Sequence, residues 1–410
     1  MKLELQRTNF FKAWQIAENF TDKKSAKEST SGIFISASED GRVTLEATDL
    51  KTSVRCKADG VNVIEPGTAV VPAVILGSMI KKSASENLML EINSERGLLR
   101  AGKSKTKFAV MAAEMFPKIP ESSGAEKIFD FSGGDFARLI AEGGSAASQP
   151  TDFPKYIGTC LLRAKEGLLR IVSTDGKRLA LAKSDCGSIT KEKDLLLPAQ
   201  AFKELGKTLS SSYFDKTLNI FADDSTAWFR LDDVEFSIRL IDANFPVFER
   251  ILNDKVCTAM KIKTEELIPV LDRIDVIART NSIARIMSMT LNQSGELKIT
   301  ARAPERGTIS ETINTEIEGQ YLQVGFNVGY FLDGLKILGD GDIRIEFSGD
   351  EGQTRMMRSG KNDFLYMLMP ARLSPQDKIA EQEMGEFEDI NYEVYKIAEH
   401  KDSEEDQEDN

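Results

Sequence analysis

Residues 172–181 read VSTDGKRLAL. A hydroxyl, a carboxylate, a glycine and two cations (Thr174, Asp175, Gly176, Lys177, Arg178) fall together between apolar residues. Groups of this kind handle phosphates in hydrolases. The rest of the chain gives them little help. The single histidine, His400, lies near the C-terminal end, which argues against His-dependent catalysis and His-rich metal sites. Neither a G-x-x-x-x-G-K-[ST] loop nor a G-x-G-x-x-G turn in a strand–helix setting is present. The four cysteines, Cys56, Cys160, Cys186 and Cys257, lack metal-type spacing and read as reduced thiols of a cytoplasmic protein. No cofactor and no metal is expected.

The elements that must hold this stretch recur. Length allows roughly three domains of about 100–200 residues. Three segments share a strand, a glycine turn and a strand: 32–49, 159–175 and 287–303. Their turn glycines, Gly41, Gly167 and Gly295, recur at intervals of 126 and 128 residues. The flanks alternate apolar and polar, the period of half-buried antiparallel strands. A strand then runs into a helix three times. Pro72 and Pro198 suit a first helical position, and Asn327 suits an N-cap. Val328, Phe331, Leu332 and Leu335 form a helical stripe. Each repeat closes on a proline (Pro117, Pro246, Pro370) and opens with a helix, over Phe10–Phe20, Asp135–Ala147 and 264–279, the last truncated or kinked by Pro269. Residues 117–127 read as a linker. The fold class is α+β, three repeats of sheet plus two helices, with helices on one sheet face. The expected domains are 1–121, 128–252 and 255–373, followed by an acidic tail, 374–410.

Net charge is −12. From Ser374 onward there are 14 Asp and Glu against 3 Lys, so the body carries about −1. The total therefore does not exclude a nucleic-acid partner, because the local field matters more than the sum. The last ten residues read as disordered. The middle of the tail admits a short helix with Ile390, Val394 and Ile397 on one side. No apolar run reaches the roughly 18 residues of a membrane span, and the N-terminus lacks a signal-peptide core.

"ATDL" in the first repeat, "STDGKRLA" in the second, "GFNVGYFLDGL" in the third and "YMLMPARL" at the close resemble the bacterial DNA polymerase III β-subunit family, the sliding clamps. The resemblance covers residues 1–373. It implies three similar domains per subunit and a head-to-tail homodimer, a six-domain ring around duplex DNA. It implies sequence-independent DNA binding and no catalysis of its own. The implied partners are the polymerase III α subunit, an ATP-driven clamp loader and other proteins with a clamp-binding motif.

The resemblance also carries site residues across. Partner peptides, roughly Gln-Leu-x-Leu-Phe, would dock in an apolar cleft between the second and third domains. The cleft would be made by Ile157, Thr174, Gly176, Lys177, Arg178, Leu179, Pro246, Ile251, Asn327, Tyr330, Met367, Met369, Pro370, Ala371, Arg372 and Leu373. Lys177 stands where the family usually has His, Ile157 where Leu is common and Ala371 where Met is common. DNA contacts would come from Lys23, Lys24, Lys27, Lys81, Lys82, Arg138, Lys155, Tyr156, Lys203, Lys207 and Arg279, with Lys12, Arg273 and Lys336 on the same helices. Phosphate contacts of this kind permit sliding because they read no sequence. The dimer seam would use Lys103, Lys105, Lys107, Phe108 and Val110 on one edge, and Val276, Ile277, Glu305 and Glu311 on the other. Residues 382–387, QEMGEF, faintly resemble the partner peptide, which suggests weak self-competition by the tail.

Two other classes remain to be weighed. A phosphohydrolase would use Thr174, Asp175, Lys177 and Arg178, but no second acidic cluster accompanies them. The first repeat has "EATDLKTSVR" at the equivalent place. A fragment shared between repeats reads as scaffold, with Asp175 as a turn-capping carboxylate and Val172 and Ala180 facing the core. A multidomain adhesion protein is the third class, opposed by the missing signal sequence.

Overall fold

The computed structural model describes residues 1–22, 28–150, 154–253, 255–280, 285–304 and 306–375. The chain forms two compact units. The first comprises the described residues of Met1–Asp175 and Leu181–Pro246; the second comprises Gly176–Ala180 and the described residues from Val247 onward.

In the first unit, five antiparallel strands (61–65, 2–6, 87–92, 96–101 and 104–109, in spatial order) make one sheet. A second sheet has eight strands, ordered 126–132, 217–222, 226–230, 234–239, 52–57, 43–48, 32–37 and 67–72. Within it, Val234–Arg239 of the second repeat pairs antiparallel with Thr52–Lys57 of the first. That ladder is why two repeats form one compact unit. Strands 193–198, 159–165, 168–174 and the later part of 178–185 complete this unit.

The second unit holds a four-stranded sheet, ordered 307–314, 296–303, 286–291 and 322–327. It also holds the run 364–368, 354–358, 342–347, 258–263 and 316–319. Residues 178–180 begin a strand beside Phe364–Leu368, which is why this short segment counts with the second unit.

The helices are α1 (Arg7–Glu18), the four-residue α2 (Glu28–Ser31), α3 (Ala73–Lys82), α4 (Gly133–Gly143), α5 (Ala199–Ser212), α6 (Thr264–Ala278) and α7 (Val328–Leu338). They pack in pairs, α1 on α3, α4 on α5 and α6 on α7. The apolar spacing explains the pairing. On α4, Phe136, Leu139 and Ile140 are buried on one stripe, and α5 answers with Phe202, Leu205 and Leu209. The rings of Phe136 and Phe202 meet edge-on at 5.8 Å. A Cβ on Gly206 would stand 2.9 Å from Ile140, so glycine sets how closely these helices approach. Each fully buried side chain of this size contributes about 1.5–3 kcal/mol.

Most of the expected elements are present, with shifted bounds. The turn glycines Gly41, Gly167 and Gly295 all have positive φ, between 72° and 89°. The stripe Val328, Phe331, Leu332, Leu335 is buried, as are Val172 and Ala180. Asn327 caps α7, its side chain accepting from the Tyr330 N–H at 3.1 Å. Pro72 and Pro198 sit one place earlier than expected, at the N-caps of α3 and α5. The first helix runs over Arg7–Glu18 and not Phe10–Phe20, and the second begins at Gly133, capped by Ser132. Pro269 does not truncate α6, which continues to Ala278. The proline removes one N–H that the Glu265 carbonyl would otherwise accept, and the helix continues through that loss, with Leu267, Val270, Leu271 and Ile274 buried on its inner face.

Candidate functional site

Gly176 has φ +85° and nothing within 4 Å of where its Cβ would be, so it lets the chain turn in the open. The turn delivers Lys177 and Arg178 onto the second unit. The Met369 N–H donates to the Lys177 carbonyl at 2.8 Å. The Arg178 guanidinium donates to Asp333 Oδ2 at 2.6 Å and to Tyr366 Oη at 3.1 Å. It also lies over the Tyr330 ring, 4.4 Å from its centroid. Tyr366 Oη in turn donates to the Tyr330 carbonyl at 3.1 Å. Arg178 is thus fixed by a carboxylate, a phenol and an aromatic face, and only 11% of its side chain is exposed. These are the contacts of a structural cation.

Around this anchor the second unit presents part of the expected cleft. Met369 is 50% and Ile251 is 41% exposed. The Ile251 carbonyl accepts from Gln353, next to Thr354, which pairs with Leu368. Ala371 bridges to Gly325, its N–H donating to the Gly325 carbonyl at 2.8 Å. Gly325 is required here, since a Cβ would come within 2.7 Å of Leu373 and 2.4 Å of the Ala371 carbonyl. Lys177 and Arg372 are exposed, and Tyr330, Asn327, Pro370, Ala371 and Leu373 are half-buried. Leu179 and Met367 are corrections to the idea of an open wall. They are 4% and 3% exposed and belong to the core. Ile157, Thr174 and Pro246 belong to the first unit: Thr174 is buried, Ile157 half-buried and Pro246 exposed.

The expected DNA-contact side chains divide by what they already touch. Lys81 and Lys82 end α3, exposed, with Lys12 exposed on α1. Lys155 is exposed, and Tyr156 leans edge-on to Phe245 at 6.2 Å. Arg138 pairs with Glu142 at 2.9 Å and Lys207 with Glu204 at 2.8 Å. Lys203 is half-buried. Arg279 donates to Asp275 at 2.6 Å, and Lys336 lies 4.0 Å from Asp272. Lys23, Lys24 and Lys27 lie outside the described residues.

Asp275 was not foreseen. Its side chain is 2% exposed and binds both Arg279 and Arg285. Burial pushes its carboxyl pKa up, but hydrogen bonds and charge from Arg285, then Arg279, outweigh that and hold it below the usual carboxylate value. The sequence showed only Asp and Arg at helical spacing, one candidate pair among many.

Two of the terminal strands among the described residues carry the side chains expected at the seam. Ser104–Ala109 is the last strand of the five-stranded sheet. It carries exposed Lys103, Lys105 and Lys107 beside buried Phe108, whose ring occupies the space that Gly97 leaves by lacking a Cβ. Val110 is half-buried. Gly307–Asn314 is the last strand of the four-stranded sheet. Near it Val276 is 56% exposed, and Ile277 stands beside Gly307. Glu311 is already held by Arg273 at 2.5 Å within the same unit. The Arg273 charge and hydrogen bonds hold the Glu311 carboxyl low. Glu305 lies outside the described residues. Val74, Ile75 and Met79 on α3 are also exposed. The sequence signal for them was AVILGSMI, more apolar residues than one helix face can bury.

Comparison with known proteins gives a consistent result. Three family models of the DNA polymerase III beta subunit match in order: the N-terminal domain over residues 1–120, the central domain over 133–247 and the C-terminal domain over 249–372. The beta sliding clamp of Pseudomonas aeruginosa is 26% identical over 378 residues, 91% of this chain and 100% of that protein. That of Staphylococcus epidermidis is 27% identical over 350 residues, 83% of this chain and 91% of the relative. The crystal structure of the P. aeruginosa DNA polymerase III subunit beta superposes with a TM-score of 0.84 at 26% identity, covering 91% of this chain and 100% of that one. The Thermotoga maritima beta subunit superposes with a TM-score of 0.85 over the same shares at 23% identity, which speaks to fold alone.

Proposed function

The chain belongs to the DNA polymerase III beta-subunit family, and from that premise we propose that it is a sliding clamp, a non-catalytic ring that tethers replication and repair proteins to duplex DNA. The observation that carries this is the tandem match of the three beta-subunit domains in family order. The three repeats are taken as 1–121, 128–252 and 255–373. Two chains join head to tail. The strand Ser104–Ala109 of one copy pairs with Gly307–Asn314 of the other, since open edges pair readily. Phe108, Val110, Val276 and Ile277 supply apolar contact across the seam. Lys103, Lys105 and Lys107 supply charge, opposite Glu305. Glu311 contributes less than a bare carboxylate would, because Arg273 already neutralises it.

Duplex DNA is held through phosphates by cations of the repeat helices and neighbouring loops. Exposed Lys12, Lys81, Lys82 and Lys155 are the first candidates, with Lys23, Lys24, Lys27, Tyr156 and Lys203. Arg138, Lys207, Arg273, Arg279 and Lys336 must exchange or share an existing carboxylate partner before they bind phosphate. Partner peptides from the polymerase α subunit, the clamp loader and other clamp-binding proteins dock on the surface around Lys177, Ile251, Tyr330, Met369 and Arg372, anchored by Arg178. Apolar peptide anchors would supply most of the affinity, and Met369 adapts to varied side chains. The protein works in the cytoplasm; among the described residues no helix is long and apolar enough to cross a membrane.

Retention on DNA tests the reading. Loaded onto closed circular duplex, the protein should remain bound through a salt wash and be lost when the circle is linearised. Equal retention on both forms would mean ordinary affinity and not topological trapping.

A further inference from the structure

The docking surface has a candidate occupant within its own chain. Met369 and Ile251 are exposed apolar side chains beside the same strand pair, 354–358 with 364–368. Exposed cations stand next to them along the chain or through a hydrogen bond. Lys177 is tied to Met369 through its carbonyl, Arg250 precedes Ile251, and Arg372 lies three residues beyond Met369. Glu249 is the acidic group on the same segment. An apolar patch rimmed with cations fits a peptide that is apolar and acidic at once.

Residues 379–397, IAEQEMGEFEDINYEVYKI, have that composition. Ile379, Met384, Phe387, Ile390, Tyr392, Val394, Tyr395 and Ile397 alternate with six carboxylates: Glu381, Glu383, Glu386, Glu388, Asp389 and Glu393. The segment starts six residues after Leu373, whose side chain lies against Gly325. Random-coil statistics for 10 to 28 residues give a span of roughly 15–30 Å, so the patch is within range. Tethering at that length gives a local concentration on the order of millimolar, enough for a weak contact to be populated. The hollow directly beside Pro370–Leu373 is the wrong host, because Asp350 and Glu351 line it. Like charge there turns an acidic segment towards Lys177 and Arg250. We infer that residues 379–397 dock in cis on the Met369–Ile251 patch and compete with partner peptides for it. The competitive half of this rests on the docking surface proposed above.

The test uses the body without the tail, since 91% of this chain matches the whole length of the P. aeruginosa relative. A fluorescein-labelled synthetic peptide of residues 379–397 is titrated, by anisotropy, into the chain lacking residues 376–410. Binding is expected, weakened about fivefold or more by Met369→Ala with Ile251→Ala and by Lys177→Glu. Both side chains are exposed, so truncation should leave the melting temperature unchanged, which is checked for each variant. In parallel, a Gln-Leu-x-Leu-Phe peptide should bind the truncated chain about 3–10-fold more tightly than the full chain, with the gap shrinking as salt rises. No binding of the tail peptide up to about 1 mM overturns the inference. So does binding that the patch variants leave intact and duplex DNA displaces, which would place the tail on the DNA-contacting surface. If the tail peptide binds the patch but the Gln-Leu-x-Leu-Phe peptide does not, the docking reading fails and the competition with it, while the cis contact stands.

Discussion

The first and second repeats make the same turn and use it differently. In the first, Thr48 and Asp49 close the turn on itself. Thr48 Oγ1 donates to the Thr52 carbonyl at 2.7 Å, and Asp49 Oδ1 accepts from the N–H groups of Lys51 at 2.9 Å and Thr52 at 2.6 Å. Leu50 takes the left-handed position at φ 73°, against the preference of a branched side chain. In the second repeat Gly176 holds that conformation without strain, and the residues after it are Lys177, Arg178 and Leu179. Arg178 reaches Asp333, 155 positions away in sequence. The first turn is held by its own hydrogen bonds; the second also commits the side chain that follows it to a distant helix and strand.

Four tests break or sharpen this contrast. The largest effect is expected from Leu179→Ala. Its side chain is almost wholly buried, so truncation leaves a cavity and should cost about 2–4 kcal/mol in a urea unfolding series. The same change at exposed Leu50 should stay within about 0.5 kcal/mol. Next is Arg178→Ala, which removes an ion pair and a cation–π contact together. A loss of about 1–3 kcal/mol is expected, with partial recovery in Arg178→Lys, which keeps the charge but not the planar stacking. Full recovery by lysine would mean that charge alone matters. Third, Gly176→Ala should destabilise by about 1 kcal/mol while Leu50→Gly is neutral or stabilising. Opposite signs at equivalent positions are the signature of one backbone conformation filled by two residue types. Smallest is Asp49→Ala, about 1 kcal/mol from the lost turn hydrogen bonds, with no change in DNA retention or peptide binding.

What could be read from residues alone follows interaction range. The glycine turns, the Asn327 cap and the stripe on α7 were legible because each depends on neighbours within a few positions. Helix starts moved by one to three residues because a cap is decided by backbone geometry that residue type only biases, as at Pro72 and Pro198. Lys and Arg on the helices were visible as charges, but not that Arg138, Lys207, Arg273 and Arg279 already had carboxylate partners. Leu179 was read as a pocket wall because the sequence gives apolarity and says nothing of which apolar atoms stay in contact with water.

The sequence by itself determined the threefold repeat, the α+β class and the family, because periodicity and motif order are properties of the chain. Only the tertiary structure decided that Arg178 is an anchor with Asp333, Tyr330 and Tyr366, that Asp275 holds two arginines, and that the strands 104–109 and 307–314 are open edges. Each of these depends on groups far apart in sequence meeting at hydrogen-bond distance, and that meeting is fixed by how sheets and helices pack, not by any local pattern.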